Sequence, residues 1–439
     1  MAHFQINLAD FVRFCYTHAM SCIIRTEKMV AGGDCLARVN GKNVFIPYAL
    51  PDEDLEIEIT KSFRDYDLAK ITKIITPSPH RVQPFCPLYG SCGGCNLQHI
   101  DSEYQIELRK AILKDSFERE GIQCPPIEVL SAGDKNYRAR IQLTDGGFNK
   151  KMSNEIICLE SCPIATEEIN GYLKNTAQTD RPRGRVHIFG DERVITEEIF
   201  SQNPSASKVI VAQEREKAQK EIKVQGASSR RKEKLRLQSN RHFAGTTLNQ
   251  NNRCQVNLLG KSIAFDVQGF FQSNLSVLEK TISEISVNMG GRNLLDMYSG
   301  CGTFSVFLAD FFDKVCMVEH NRDAIVFAEE NLRGKNHESF GMSGENWIKF
   351  SAENYIVNNG TFEAVVIDPP RSGMEKAVCQ WLCRSKIPQI RSVSCNPSTH
   401  ARDAHFLVKA GYKLSKLYLL DFYPHTSHIE SLATFEYTE

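Results

Sequence analysis

The 439-residue sequence has no excess of either charge and no long hydrophobic run. Lysine plus arginine and aspartate plus glutamate number 53 each, so the net charge does not indicate nucleic-acid binding, although local charge still could. No stretch approaches the roughly 20 apolar residues of a membrane span. The run FVRFCYTHAM is interrupted by Arg13 and His18 and does not read as a signal peptide. We expect a cytoplasmic protein without a membrane partner; residues 1–19 resemble nothing that follows, and Met20 is a candidate start.

The fifteen cysteines lack the arrangement of a disulfide framework, which leaves metal binding or catalysis. Cys86, Cys92 and Cys95 form C-x5-C-x2-C, with glycines that let the backbone wrap around a metal centre. A fourth ligand is needed, and Cys162 is favoured over Cys158 because a proline follows it, as one follows Cys86. Zinc ribbons usually have two C-x2-C pairs, and the C-x3-C-x2-C of radical enzymes is missing. The pattern favours a 4Fe-4S cluster with a structural rather than a redox role.

The first part of the chain, residues 21–76, alternates apolar with polar residues in short segments. LARVN, NVFIPYAL, DLEIEIT and AKITKIIT are separated by turn residues at Gly41, Pro51 and Asp52. Short alternating strands of this kind predict a small closed barrel. Four basic residues there could contact RNA phosphates, unless they are simply solvated: Lys61, Arg64, Lys70 and Lys73.

Two later segments contain charged residues that could contact either RNA or solvent. The predicted helix of residues 101–121 leads to a predicted strand at Tyr137–Leu143, whose two arginines could face RNA or water. A charge-dense stretch at 214–241 could contact RNA, or be a solvated helix or loop.

The segment Leu294–Ala309 predicts a buried strand, a glycine turn and a helix. Asp296 is followed by Gly300 and Gly302, which would let a ligand approach the backbone closely. A dinucleotide motif needs a third glycine where Ser305 stands, so that match is incomplete. D-x-x-x-G-x-G after a strand looks more like the S-adenosylmethionine loop of class I methyltransferases, with a plain structural turn as the alternative.

The following segments extend this pattern into an α/β fold. KVCMVEH is a predicted strand ending in Glu319, which could accept hydrogen bonds from ribose hydroxyls or simply be solvated. A predicted helix at DAIVFAEENL and predicted strands at NWIKFSAEN and FEAVVIDPPRSG complete a doubly wound parallel sheet. Ligands are expected at the carboxyl ends of its strands.

Chemistry-bearing residues stand at three further strand ends or turns. Asp368 follows VVI and precedes two prolines, Cys395 lies in SCNPSTHARD, and Glu430 lies in PHTSHIES. A cysteine in a polar turn at a ligand-facing strand end is a candidate nucleophile, whereas a buried cysteine is usually inert. Gln272, in VQGFFQSN, could hold cofactor or uracil, or belong to a helix cap.

Together, FFQSN, LLDMYSGCGTF, VVIDPPRSG, SCNPSTHARD and PHTSHIES resemble the RNA 5-methyluridine methyltransferases. With the barrel and the cysteines, the chain is similar to the 23S ribosomal RNA branch. The resemblance implies an α/β fold with a class I (Rossmann-like) methyltransferase domain over 100–125 and 267–439. It also implies an OB-like TRAM β-barrel over 21–77 and a small iron–sulfur α+β domain over 78–99 and 126–266. Two departures are Asp52, where TRAM domains usually have glycine, and Ser299, where relatives often have cysteine.

The resemblance also implies residue roles. Cys395 would be the nucleophile and Glu430 the base. The remaining sites are S-adenosylmethionine contacts at Gln272, Tyr298, Gly300, Glu319 and Asp368, and 4Fe-4S ligands at Cys86, Cys92, Cys95 and Cys162. The implied partner is RNA, favourably 23S rRNA, and the expected state is a monomer.

The chemistry fits these residues. Carbon 5 of uracil is a weak nucleophile until a thiolate adds to carbon 6, after which a base must remove the carbon 5 proton. The target base must also be flipped out of its stack, which requires RNA-binding accessory domains. The alternatives are transfer RNA as the substrate, an amino-group methyltransferase using the DPP motif, and an iron–sulfur RNA-binding protein with a vestigial methyltransferase fold.

Overall fold

The computed structural model describes residues 21–196, 208–214 and 252–437, which form two compact units. Unit 1 contains the chain up to Ile112 together with His425–His428, and unit 2 contains Leu113–Pro424 and the chain from Ile429 onward. The candidate start at Met20 and all but Glu214 of the charged 214–241 stretch lie outside the described residues. None of the helices within these ranges is long and apolar enough to cross a membrane.

Unit 1 is built on one six-stranded sheet in the order β1-β5-β6-β4-β3-β2. Its strands are β1 (Ser21–Arg25), β2 (Lys28–Met29), β3 (Cys35–Val39), β4 (Lys42–Ile46), β5 (Asp54–Ser62) and β6 (Tyr66–Thr76). Leu55 and Ile57 of β5 are fully buried, whereas Glu56 and Glu58 between and beyond them are partly exposed. This period of two places one face of the strand in the core. The strand segments predicted for this region are confirmed, and β1 and β2 add to them.

The turn before β5 explains how this chain tolerates aspartate where glycine is usual. Asp52 adopts φ 64°, the left-handed conformation that glycine enters freely and that aspartate tolerates better than most residues. The next residue, Glu53, is fully buried and accepts hydrogen bonds from Leu50 N (2.9 Å) and Ser78 N (3.1 Å). The turn therefore keeps the glycine-like backbone, and the carboxylate beside it fixes two further segments.

The described residues of unit 2 form three small sheets and one large one. The strands of the small sheets pair as β8-β11-β12, β9-β10 and β13-β14. In chain order the strands of unit 2 are β7 (Ile127–Leu130), β8 (Arg140–Thr144), β9 (Phe148–Asn149), β10 (Ile156–Ile157), β11 (Arg185–Gly190), β12 (Val209–Gln213), β13 (Arg253–Leu258), β14 (Lys261–Asp266), β15 (Gly291–Met297), β16 (Phe312–Val318), β17 (His337–Phe340), β18 (Ala364–Ile367), β19 (Gln389–Ser394), β20 (Lys413–Leu420) and β21 (Glu430–Glu436). The strand predicted at Tyr137–Leu143 is observed as β8.

The large sheet has the order β17-β16-β15-β18-β19-β21-β20-β7. The first five strands run parallel, as the alternating sequence pattern predicts. β21 is the exception, since it is antiparallel to both β19 and β20. This reversal brings the start of β21 to the edge where β19 ends. The fold is thus α/β, with a strand-rich N-terminal region.

The helices are α1 (Ser102–Arg119), α2 (Glu167–Asn175), α3 (Leu275–Ser286), α4 (Thr303–Leu308), α5 (Arg322–Asn331), α6 (Gly344–Phe350), α7 (Ala352–Asn359), α8 (Lys376–Ser385) and α9 (Pro397–Lys409). A short 3-10 helix covers Gln178–Asp180. The predictions for α1, α4 and α5 are confirmed.

The strand predicted at NWIKFSAEN is wrong, because this segment forms α6 and α7. Ser343 caps α6 by accepting a hydrogen bond from Asn346 N at 3.3 Å. Trp347 and Tyr355 then face the core on a helical spacing. The strand that belongs at this point of the fold is β17, whose polar sequence HESF gave no apolar signal.

Candidate active site

The carboxyl ends of four adjacent parallel strands form one edge of the large sheet. Glu319 follows β16, Asp368 follows β18 and Cys395 follows β19, while Asp296 is near the end of β15. Glu430 reaches the same edge from the opposite direction, because Ser431 of β21 pairs with Ser394 of β19. The structure therefore brings together candidate residues that are separated by as many as 134 positions, from Asp296 to Glu430.

The glycine turn after β15 uses its two glycines differently. Gly302 has φ 78°, and a Cβ there would lie 3.2 Å from side-chain atoms of Ala328 and Leu332. Gly300 has φ 56°, but an added Cβ would meet nothing within 4 Å. Gly302 is thus required for packing against α5. Gly300 supplies the left-handed backbone beside open space, which fits the prediction that a ligand approaches there.

Glu319 fixes this turn from the end of β16. Its Oε2 accepts a hydrogen bond from Gly300 N at 2.9 Å, and its Oε1 accepts one from Asn321 N at 2.6 Å. Each carboxylate oxygen keeps a second lone pair. The side chain is therefore held in place and can still accept hydrogen bonds from hydroxyl groups.

Two aspartates beside Glu319 carry raised pKa values. Burial and the charge of Glu319 raise the pKa of Asp296 to about 7, against the opposing hydrogen bond that Ser305 Oγ donates to Oδ2 at 2.6 Å. Burial, Asp296 and Glu319 raise the pKa of Asp368 to about 7. The charge of Glu319 thus opposes ionisation of both aspartates, so a cationic ligand beside Asp296 and Asp368 would be stabilised.

Three buried polar atoms near these strand ends have no hydrogen-bond partner within the described ranges: Asp296 Oδ1, Ser299 Oγ and Gln272 Oε1. Buried polar groups are normally satisfied, so such a group of atoms marks a place where a polar ligand fits. The acceptors among them suit the donors of a cationic molecule.

Cys395 and Glu430 influence each other directly. Burial and the charge of Asp368 raise the pKa of Glu430 to about 8, while Arg371 and a hydrogen bond with Gln272 oppose that rise. Burial, Glu430 and Asp368 raise the pKa of the Cys395 thiol, and a charge and hydrogen bond from Arg371 oppose it. A thiol, an acid and a guanidinium therefore share one pocket, an arrangement that can support nucleophilic addition and proton transfer.

Arg371 was missed in the sequence, where its only signal is its position after Asp368. Its carbonyl accepts hydrogen bonds from Asn396 Nδ2 at 3.1 Å and Thr399 Oγ1 at 3.2 Å. These contacts fasten the loop after β18 to the turn that carries Cys395. The loop positions a cation beside the thiol.

The same loop depends on Gly373. With φ 79°, a Cβ at this position would lie 2.4 Å from Arg402 Nη2 and 2.5 Å from Asp403 Oδ2. Asp403 Oδ2 accepts a hydrogen bond from Met374 N at 2.7 Å, so the neighbour cannot simply move aside. The close packing of α9 against this loop leaves no room for a side chain.

Two further tyrosines differ in what they contact. Tyr298 adopts φ 66°, and its hydroxyl accepts a hydrogen bond from Glu375 N at 3.2 Å, so part of its role is to hold the loop after β18. Tyr423, which the sequence did not single out, has a pKa raised to about 12 by burial and by Glu430, with a hydrogen bond from Ser273 opposing. Tyr423 therefore lies close to the proposed base.

The predicted cluster cysteines are found in both units. Cys86, Cys92 and Cys95 are partly exposed in unit 1, where Gly94 N donates to Cys92 Sγ at 3.4 Å, and Cys162 is partly exposed in unit 2. The donor chemistry suits an iron–sulfur cluster. Yet in the part of the chain that is described, no three cysteine, histidine or acidic side chains are grouped to hold a metal ion. The structure does not show the predicted 4Fe-4S site.

Comparison with known proteins gives a consistent result. A family model described as tRNA (Uracil-5-)-methyltransferase matches residues 101–436. An uncharacterized RNA methyltransferase of Treponema denticola is 36% identical over 452 residues, which cover 94% of this chain and 98% of that protein. The 23S rRNA (uracil(1939)-C(5))-methyltransferase RlmD of Aeromonas salmonicida is 29% identical, covering 91% and 93%.

One solved structure shares the fold over nearly the whole chain. It is the Pyrococcus abyssi tRNA (uracil-54, C5)-methyltransferase in complex with S-adenosyl-L-homocysteine, with a TM-score of 0.65 and 22% identity. The match covers 95% of this chain and 100% of the other.

Proposed function

This chain belongs to the tRNA (uracil-5-)-methyltransferase family, and we propose that it transfers a methyl group from S-adenosylmethionine to carbon 5 of a uridine in RNA. The observation that carries the proposal is the meeting of Cys395 and Glu430 at one sheet edge beside Asp368. The favoured substrate is 23S rRNA, because full-length relatives such as the Aeromonas salmonicida protein are named for it. Transfer RNA is the second candidate, because the family model and the Pyrococcus abyssi protein are named for it.

The reaction begins at the cysteine. The Cys395 thiolate adds to carbon 6 of the uracil, forming a carbon–sulfur bond and moving electron density to carbon 5 and the carbonyl oxygen at carbon 4. Arg371 lies close enough to hydrogen-bond the thiol, and its positive charge favours the thiolate over the neutral form. The nucleophile is thus activated from the loop after β18.

S-adenosylmethionine would supply the methyl group as an electrophilic sulfonium. Carbon 5 of the uracil would form the new bond to that methyl carbon as the sulfur–methyl bond breaks, which leaves S-adenosylhomocysteine. Glu430 then takes the proton from carbon 5, and the pair of electrons left behind restores the ring double bond as the bond from carbon 6 to Cys395 breaks. The products are uracil methylated at carbon 5, the Cys395 thiolate and a protonated Glu430.

The pKa of Glu430 supports its assignment as the general base. A buried carboxyl group with a pKa of about 8 is a much stronger base than an ordinary glutamate. The same burial means that it must first lose its proton, so we expect turnover to accelerate as the pH rises towards 8 and beyond. The raised pKa of Cys395 acts in the same direction.

The residues at the other strand ends suit the cofactor. We assign Gln272, Tyr298, Gly300, Glu319 and Asp368 to its binding. S-adenosylmethionine carries positive charge, which the raised pKa values of Asp296 and Asp368 favour, and hydroxyl groups that the fixed carboxylate of Glu319 can accept. The unpartnered acceptor atoms of Asp296 and Gln272 offer further sites.

The rest of the chain is assigned by resemblance. We propose that residues 21–77 form a TRAM-type RNA-binding barrel. Residues 78–99 and 126–266 would form a domain in which Cys86, Cys92, Cys95 and Cys162 hold a 4Fe-4S cluster, and residues 100–125 and 267–439 the methyltransferase domain. No reaction step depends on the cluster. A monomeric cytoplasmic protein is the expectation from the sequence.

Covalent trapping tests the proposal. The protein and S-adenosylmethionine are incubated with 5-fluorouridine-substituted 23S rRNA fragments and, separately, with substituted transfer RNA. Because fluorine cannot leave as a cation, Glu430 has no proton to remove and the RNA stays bonded to the enzyme. We expect a methylated adduct on Cys395, located by digestion and mass spectrometry, and the RNA that forms it identifies the substrate class.

The matched control is Cys395→Ala. This variant should form no adduct and no 5-methyluridine. Methylation that survives in Cys395→Ala, with no adduct in the wild type, would contradict the cysteine mechanism and favour methyl transfer to an amino group.

A further inference from the structure

Unit 1 contains a cavity that the proposed chemistry does not use. It has a volume of about 570 Å³ and none of its lining residues belongs to the catalytic set. Its lining includes Tyr48, Tyr89, His99 and Arg81, and it contains no acidic residue. The volume falls in the range of small-molecule sites.

The aromatic walls of the cavity are arranged at right angles. The ring centroids of Tyr48 and Tyr89 are 5.6 Å apart at 75°, and those of Tyr48 and His99 are 5.9 Å apart at 74°. The Tyr89 hydroxyl is hydrogen-bonded to His99 Nδ1 at 2.6 Å, which fixes both rings. A flat ligand could stack on one tyrosine while its edge meets the other.

Arg81 brings a fixed positive charge to the same cavity. Its Nε and Nη2 donate to the buried carboxylate of Glu53 at 2.6 and 2.7 Å, and Nη2 also donates to the Tyr48 carbonyl at 2.8 Å. Among the described residues, Arg81 Nη1 has no hydrogen-bond partner. Two donor hydrogens are thus left on a rigid guanidinium, suited to the carbonyl oxygens and ring nitrogens of a base.

The backbone conformation of Tyr48 is a second indication that the cavity is a binding site. Tyr48 adopts φ 63°, a conformation that is costly for a bulky residue and that clusters at binding sites. The hydrogen bond from Arg81 to its carbonyl holds it there. The strained residue is one of the two aromatic walls.

We propose that this cavity binds one unstacked base of the RNA substrate, stacked on Tyr89 with its acceptor edge towards Arg81. RNA-binding proteins commonly hold single-stranded bases by stacking on aromatic rings and by hydrogen bonds to base edges. The inference rests on the proposed function, because it takes RNA as the substrate. It adds a second base-binding site, in unit 1, to the uracil site at Cys395.

Three variants test the stacking contact. Tyr89→Ala removes the ring, Tyr89→Phe keeps the ring and loses the hydroxyl, and Tyr104→Ala changes a tyrosine of the same unit outside the cavity that stacks on His80. RNA affinity is measured by filter binding with a fragment that the wild type methylates. We expect Tyr89→Ala to bind about 5- to 150-fold more weakly, the range typical of one lost base stack, and the other two variants to bind within about threefold of the wild type.

Single abasic substitutions along the fragment then locate the base. At the position that enters the cavity, loss of the base should weaken the wild type and leave Tyr89→Ala unaffected, because the same contact has already been removed. At all other positions the two losses should add. An affinity of Tyr89→Ala equal to that of the wild type, or additive losses at every position, would overturn the proposal.

Two further measurements allow the binding experiment to be interpreted in every case. Should Tyr89→Ala fail to fold, ultraviolet crosslinking of wild-type protein to the fragment decides: crosslinks in peptides containing Tyr48 or Tyr89 support the cavity, and their absence among recovered crosslinks contradicts it. Methyl transfer is scored separately from affinity. RNA that binds without gaining 5-methyluridine would refute the proposed function while still reporting on the cavity.

Discussion

Replacing Glu430 with glutamine should stabilise the folded protein at neutral pH while it removes turnover. The Glu430 side chain is buried, with 5% exposure, and its pKa is raised from 4.5 to about 8. Between these values the folded protein keeps a proton that the unfolded chain releases. Stability therefore falls as the pH rises through this window. Glutamine resembles the protonated side chain and carries no such penalty.

The size of the effect follows from linkage. Roughly 2.5 pH units separate the ordinary value from pH 7, and each unit corresponds to about 1.4 kcal/mol, so the penalty at pH 7 is at most about 3.5 kcal/mol. It should vanish near pH 4 and grow until about pH 8, where the folded protein also ionises. Glu430→Gln should gain this free energy of unfolding relative to the wild type.

The catalytic loss is estimated separately. A positioned general base contributes about 10²- to 10⁴-fold to the rate, so turnover in Glu430→Gln should fall by that factor. Methyl transfer precedes proton removal, so the variant should accumulate the methylated RNA bonded to Cys395. The adduct is detected on denaturing gels with unsubstituted RNA and located by mass spectrometry.

The assay for stability is denaturant unfolding of both proteins at pH 5, 7 and 8. Glu284→Gln is the matched control, since Glu284 Oε1 accepts hydrogen bonds from Lys416 Nζ at 2.9 Å and from Tyr418 Oη at 2.7 Å, and glutamine would lose the ion pair with Lys416. That variant should not gain stability at any pH. A Glu430→Gln protein that is less stable at all three pH values, or that turns over like the wild type, would refute the reasoning.

Three further predictions follow from the structure. Because Asp296 and Asp368 have pKa values of about 7, a sulfonium ligand should bind more tightly as these groups ionise. The preference for S-adenosylmethionine over S-adenosylhomocysteine, measured by equilibrium dialysis, should therefore increase between pH 6 and 8. A constant ratio of the two affinities would contradict this. Gly373→Ala should destabilise the protein by about 1–3 kcal/mol and lower kcat. Gly184 also has a positive φ but lies in open space, so Gly184→Ala should cost only about 1 kcal/mol and leave kcat unchanged. Protein purified without oxygen should contain about four iron and four sulfide per chain, and Cys92→Ala should lose them; iron-free wild-type protein would refute the cluster.

The positions of three candidate residues at strand ends could be predicted from the sequence, whereas part of the secondary structure around them could not. Cys395, Asp368 and Glu319 each follow an apolar run, and parallel strands necessarily end at one edge, so their proximity could be inferred. Glu430 could be placed only through the resemblance. Its position depends on β21 running antiparallel to β19, and no local pattern encodes that reversal.

Other features have no sequence signal at all. Residues 346–354 contain enough apolar residues for either a strand or a helix, and the cap at Ser343 decides for a helix. Arg371 becomes important because Asn396 and Thr399 hold its carbonyl, and Tyr423 because the fold brings it beside Glu430. These are tertiary contacts between distant segments, which composition and periodicity do not report.

The charges at the sheet edge also bear on when Glu430 can act. Asp368 contributes to its raised pKa, and Asp368 is itself close to Asp296 and Glu319. A cation held beside Asp296 and Asp368 would favour their ionised forms and would lower the pKa of Glu430 as well. Loss of that positive charge on methyl transfer would raise the pKa of Glu430 again and make it a stronger base. The proton at carbon 5 becomes available for removal at this same moment, so one group of carboxylates can both favour the cationic donor and strengthen the base after transfer.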